Sequence, residues 1–193
     1  VARPKEFDRD AALEKARDVF WSLGYEATTM ESLVQGMGIG RQSLYDTFGD
    51  KHSLFVAALD AYRERAGREL SCLLGEAVSP LGAIRCIFRS VAEETEIART
   101  RGCMMLNAIV EHGPSDPEIA RIVAANRRAF EETIRSALVR AKALNELPDG
   151  ADPERLSRYL LASLQGLRVA AKANPDPAYV SDVAELMLKV LER

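Results

Sequence analysis

Thr28-Thr-Met-Glu-Ser-Leu-Val-Gln-Gly-Met-Gly-Ile-Gly-Arg-Gln-Ser-Leu-Tyr-Asp-Thr-Phe-Gly-Asp-Lys51 reads as two short helices joined by a tight, glycine-bearing turn. Thr28 or Thr29 caps the first of them, with Thr28-x-x-Glu31 at capping-box spacing. Leu44 and Phe48, four residues apart, share one helical face and anchor the second helix, while Met37 and Ile39 pack the turn. Arg41, Gln42 and Ser43 stand at the head of that second helix, where a recognition helix enters the major groove. Arg pairs bidentately with guanine and Gln with adenine, and Ser bonds several base edges. Free N–H groups at the helix start beside Gly40 suit a phosphate.

The flanking residues extend the pattern. Tyr45 is expected to send its hydroxyl to a phosphate, with Thr47 and Lys51 on either side. Thr28 and Thr29 are helix caps first and candidate contacts to the opposite strand second. Arg3-Pro4-Lys5 forms a basic tail suited to the backbone or the minor groove. Charge argues the other way. The chain carries a net charge of −3, and its first 51 residues hold seven Lys or Arg against nine Asp or Glu. Affinity for DNA must therefore come from a few placed groups rather than from a basic surface.

Outward from this segment almost everything reads as helix, with no sustained period-two alternation. About nine helices are predicted: from Asp8 to Leu23, from Thr28 or Thr29 to Gly36–Gly38, from Gly40 to Phe48, and from Asp50 past Leu70. Ser79-Pro80 opens a fifth, with Leu81, Ile84, Phe88, Val91 and Thr95 in register, and Cys103 to His112 forms a sixth after Gly102. Asp116-Pro117, Asp152-Pro153 and Asp176-Pro177 open the last three, since Asp caps a helix and Pro suits its first turn. The last two, about 153–173 and 177–192, are apolar on two faces and carry the small residues Ala162, Ser163 and Gly166. That pattern predicts a homodimer held by a four-helix bundle.

Composition excludes other classes. At 193 residues, 47% hydrophobic and 28% charged, the chain has the makings of a globular protein with a sizeable core. No apolar run approaches the ~20 residues that span a bilayer, and no basic-then-apolar leader opens the chain, so a cytoplasmic protein away from membranes is expected. With Val1 in place of Met, the numbering is expected to begin inside the native start. Cys72, Cys86 and Cys103, with His52 and His112, lack the spacing of a disulfide framework or a metal site. There is no phosphate-binding glycine loop and no catalytic triad, so neither an enzyme nor a cofactor is expected.

Phe20-Trp-Ser-Leu-Gly-Tyr-Glu-Ala-Thr-Thr29 followed by Gly36-Met-Gly-Ile-Gly-Arg-Gln-Ser-Leu-Tyr-Asp-Thr-Phe-Gly-Asp-Lys-His-Ser-Leu-Phe55 resembles the N-terminal domain of the TetR/AcrR family of transcriptional regulators. The likeness covers residues 7 to 62. It departs from the family pattern at Met37, where a small residue is usual, at Gly40, where Ser is usual, and at Thr47, where an aromatic or His is often found. The resemblance implies an all-α protein with a three-helix DNA-binding domain over residues 1–51 and a ligand-binding and dimerisation domain over 52–193. It implies a repressor released from a palindromic double-stranded operator by a small effector. Candidate effector contacts are Phe88, Cys103, Asn107, Asn126, Phe130, Tyr159 and Gln165, a mostly apolar set that suits a hydrophobic or aromatic molecule. Two other readings stand beside it: a helical ligand-binding or interaction module without DNA binding, and a thiol-based sensor acting through Cys103, which follows Gly102 at a helix start near Arg99 and Arg101.

Overall fold

The computed structural model describes residues 7–192, apart from the side chain of residue 114. Among these residues the chain is all-α, with ten helices: α1 (Arg9–Leu23), α2 (Met30–Met37), α3 (Arg41–Phe48), α4 (Lys51–Gly75), α5 (Pro80–Glu93), α6 (Glu96–Arg101), α7 (Met104–His112), α8 (Pro117–Ala143), α9 (Pro153–Ala173) and α10 (Pro177–Leu188). Short 3-10 turns follow α7 and α10.

The tenth helix arises because the predicted fifth is in two pieces. Thr95 does not continue the stripe of α5; its side chain accepts from the Ala98 N–H and caps α6. Arg99 makes the break possible. It is buried, and its guanidinium donates to the carbonyls of Ala92 at 2.9 Å and Pro175 at 2.8 Å, and to that of Glu94. The carbonyls at the end of a helix have no partner within it, and a buried guanidinium supplies one. Arg140 does the same for the end of α4, donating to the Leu74 carbonyl at 2.8 Å. The Asp-Pro openings behave as expected: Asp116 and Asp152 each accept two backbone N–H groups of the first turn that follows, and Asp176 accepts that of Ala178.

The chain forms two compact units. The first comprises the chain through Arg65 with Met104–Val123. α7 and the start of α8 belong to it along with the N-terminal helices. Phe20, Leu33, Met37, Leu44, Phe48, Leu54 and Leu59 are buried in it. The second unit comprises Ala66–Cys103 and the chain from Ala124 onward. Its core is one cluster drawn from α4, α5, α8, α9 and α10, including Leu74, Ile84, Phe88, Leu138, Leu160, Leu167, Val180 and Leu188. On α9 the outer face stays exposed: Tyr159, Ala162, Gly166 and Val169. A Cβ added at Gly166 would meet nothing within 4 Å, so packing inside the chain does not require glycine there.

Candidate DNA-binding interface

Local chemistry builds the helix pair. Thr29, not Thr28, is the N-cap of α2: its hydroxyl accepts from the Ser32 N–H at 3.1 Å while Ser32 Oγ accepts from the Thr29 N–H at 3.0 Å. The predicted Thr28–Glu31 box is therefore shifted by one residue. Thr28 is buried, and its hydroxyl donates to the Gly24 carbonyl. That bond and its burial turn Thr28 inward, away from solvent. Gly38 ends α2 at φ +68°, left-handed backbone that favours glycine. Gly36 is required by close approach, because a Cβ there would lie 2.4 Å from Val19 Cγ2 of α1.

Leu44 and Phe48 are buried and hold α3 against its neighbours, as their spacing predicts. This leaves Arg41, Gln42 and Tyr45 exposed on the other side of the helix. Gly40 provides no side-chain cap, so the first N–H groups of α3 keep their unmet hydrogen-bonding capacity. Ser43 and Thr47 are half-buried. Arg41 Nη1 donates to Glu31 Oε1 at 3.0 Å, and its guanidinium carbon lies 6.0 Å from the centre of the Tyr45 ring. Gln42 Nε2 donates to Asp46 Oδ1 at 2.8 Å. Lys51 is half-buried with its ammonium 4.3 Å over the Tyr25 ring. Arg3 and Lys5 lie outside the described residues.

No local sequence signal marks the contacts behind this surface. The Tyr25 N–H donates to Glu111 Oε2 of α7 at 2.7 Å. The Tyr25 ring stands edge-on to His112, with centroids 4.6 Å apart, and both pack near Phe55. Burial raises the Tyr25 phenol above its ordinary value, with neighbouring carboxylates adding to the effect. His52 Nε2 and Asp116 Oδ2 are 2.6 Å apart. The loop entering α2 and the first turn of α4 are thus tied to α7 and the head of α8 by polar and aromatic contacts. Residues this far apart in sequence carry no local signal of such pairing.

The expected effector contacts are scattered. Phe88 is buried in the core of the second unit, and Phe130 packs against that core half-buried. Asn126, one turn before Phe130, keeps a buried Oδ1 with no hydrogen-bond partner. Tyr159 is exposed on α9, and Gln165 lines a groove between α8 and α9. Cys103 and Asn107 are half-buried, Cys103 just before α7 and Asn107 within it. Among the described residues no group of three or more His, Cys, Asp or Glu is placed to hold a metal ion. None of the described helices is long and apolar enough to cross a membrane.

An all-α chain whose N-terminal helix pair exposes Arg, Gln and Tyr on its second helix defines a helix-turn-helix protein. The chain belongs to the TetR family of transcriptional regulators: residues 12–58 match the family of bacterial regulatory proteins named for TetR, and residues 77–187 match the tetracyclin repressor-like C-terminal domain. It is a DNA-binding regulator and not an enzyme. It is 36% identical over 194 residues to the transcriptional regulator YezE of Bacillus subtilis, covering the whole of both chains. It is 33% identical over 190 residues to the transcriptional repressor ComR of Escherichia coli, covering 97% of this chain and 90% of that one. Among solved structures it is similar to a cysteine mutant of the TetR-family regulator CifR bound to 26-base-pair double-stranded operator DNA. That likeness has a TM-score of 0.83 and 30% identity, and covers 98% of this chain and 100% of the other.

Proposed function

We propose that the protein is a homodimeric repressor that binds a palindromic operator through α3 and leaves it when a small molecule binds the second unit. The observation that carries this reading is the exposed face of Arg41, Gln42 and Tyr45 on an α3 anchored by Leu44 and Phe48. Its likeness to CifR, solved on operator DNA, and to the repressor ComR supports the same reading. Arg41 and Gln42 read base edges and Ser43 assists, while Tyr45, Thr47, Lys51 and Thr29 bind phosphate.

Two copies are needed because paired recognition helices must meet successive major grooves about 34–36 Å apart. The support for a dimer through α9 and α10 is the exposed apolar face of Tyr159, Val169, Leu186 and Val190. The open space at Gly166 adds to it, since a small residue there admits a partner helix. Release by a ligand draws support from the unmatched Asn126 Oδ1, which shares a helix face with Phe130. A small, largely apolar or aromatic molecule with one hydrogen-bond donor fits that pair. Such a molecule and DNA must weaken each other's binding by the same factor.

The test is a mobility-shift titration of the full chain on DNA from upstream of its own coding region. A discrete dimer complex is expected, and Arg41→Ala should alter the preferred sequence. Binding no tighter than to scrambled DNA contradicts the proposal.

A further inference from the structure

We propose that the groove between α8 and α9 binds a small polyanion, a molecule with two or more carboxylate or phosphate groups. The groove has a volume of about 560 Å³, within the ~300–1,000 Å³ range of small-molecule sites. Arg127, Arg128 and Arg135 line it from α8 and Arg158 faces them from α9, with Glu131 and Glu132 between. Four arginines line it against two glutamates, and Glu154 of α9 also pairs with Arg158, which leaves a surplus of one positive charge.

The two carboxylates are spent on positioning. Glu131 accepts from Arg127 Nη1 at 2.9 Å and from Arg158 Nε at 3.4 Å, so it bridges the two walls. Glu132 is gripped by Arg135 at 2.6 and 2.8 Å, and that pairing lowers its carboxyl below the usual range. The guanidinium of Arg128 makes no hydrogen bond or ion pair with any described residue. A guanidinium has five N–H donors, and Arg127 uses one of them on Glu131. The groove therefore presents fixed, underused forks of the shape that grips carboxylate and phosphate bidentately.

Stability does not account for the cluster. Exposed ion pairs contribute little, and surplus like charges repel. A soluble anion is a complement to this surplus, and none of the groove's residues belongs to α3 or its contacts.

Calorimetric titration of the full chain with citrate and with pyrophosphate, at low salt and without DNA, tests the site. Saturable binding of at least one probe is expected, with a matching rise in the parent's melting temperature. Arg128→Gln should weaken binding about tenfold or more, and Arg127→Gln with Arg128→Gln should weaken it further. Arg128 holds no other part of the fold, so its variant should melt as the parent does without ligand. Arg121→Gln, an exposed charge in the other unit, should leave binding unchanged. Absence of saturable binding by both probes, unchanged affinity in Arg128→Gln, or equal weakening in Arg121→Gln overturns the proposal. Mobility shifts with the same variants separate this site from the DNA surface, because operator affinity without citrate should not change.

Discussion

Arg41 Nη1 donates to Glu31 Oε1 across 3.0 Å, so the first residue of the recognition helix is already held by the helix before it. Both side chains are more than half exposed. The Glu31 carboxyl sits below its ordinary range, first through its own backbone N–H and then through the Arg41 charge. Reading a base with Arg41 means breaking this pair or sharing it. With Arg41 on DNA as proposed, Glu31 restrains its non-specific contacts, since any phosphate must compete with the pair. Glu31→Gln should raise affinity for all DNA roughly twofold to fivefold at low salt, and more for scrambled DNA than for the operator. Anisotropy titrations on both DNAs check this; a gain confined to the operator would contradict it.

Tyr45 shares the exposed side of α3 with Arg41. With Tyr45 on a phosphate as proposed, Tyr45→Phe removes one hydrogen bond and no base contact. Binding should fall by about threefold to tenfold and equally across sequences. A changed sequence preference would show that Tyr45 reads bases. Competition binding against a library of operator variants measures the difference.

The threonine pair shows where sequence reading stopped. Either Thr28 or Thr29 has the chemistry of an N-cap, and local rules could not choose between them. Burial chose: Thr28 is turned inward on the Gly24 carbonyl, and Thr29 caps. Leu44 and Phe48 were legible because a helical repeat fixes their face, and Arg41, Gln42 and Tyr45 follow once that face is set. Glu111, His112 and Asp116 were illegible because their partners lie 64 to 86 residues away or across an aromatic cluster. Thr95 fits the apolar stripe by spacing alone, and only the buried Arg99 makes a helix break there favourable.

Thr29→Ala should therefore lower stability by about 1 kcal/mol through loss of the α2 cap. Thr29→Ser should keep nearly all of it, because the accepting oxygen remains. Urea unfolding measures both. Equal losses in the two variants would mean that the methyl group, not the cap, carries the effect.

Two glycines should respond in opposite directions. Gly36→Ala drives a Cβ into the β-branched Val19, which has little freedom to yield, and should destabilise by about 1–3 kcal/mol. Gly166→Ala meets open space in the single chain and gains helix propensity, so it should not destabilise it. Gly166→Trp should shift the protein toward monomer if α9 packs on its copy. Sedimentation velocity reads the assembly, and a dimer unaffected by tryptophan places the interface elsewhere.

Asp116 gives the first unit an acid limit. Its carboxyl is held below the ordinary range, first by the Ile119 N–H and then by His52. A depressed folded value means that the stabilisation is complete above the unfolded value of about 3.9 and is lost as pH falls through the lower folded value. Asp116→Asn keeps a cap but loses the charge, so its melting temperature should lie below the parent's at pH 6. The gap should close as pH falls toward about 3. A gap independent of pH would assign the effect to packing alone.

We propose that a dimer reads an operator through α3. The most direct test is a salt series, from about 50 to 200 mM, of the full chain binding a palindrome from its own upstream region and a scrambled control. The account predicts two protomers per palindrome, a steep fall in affinity with salt, and a preference over scrambled DNA that Arg41→Ala redirects to another sequence. Equal affinity for both DNAs, or a preference that survives Arg41→Ala unchanged, would contradict it.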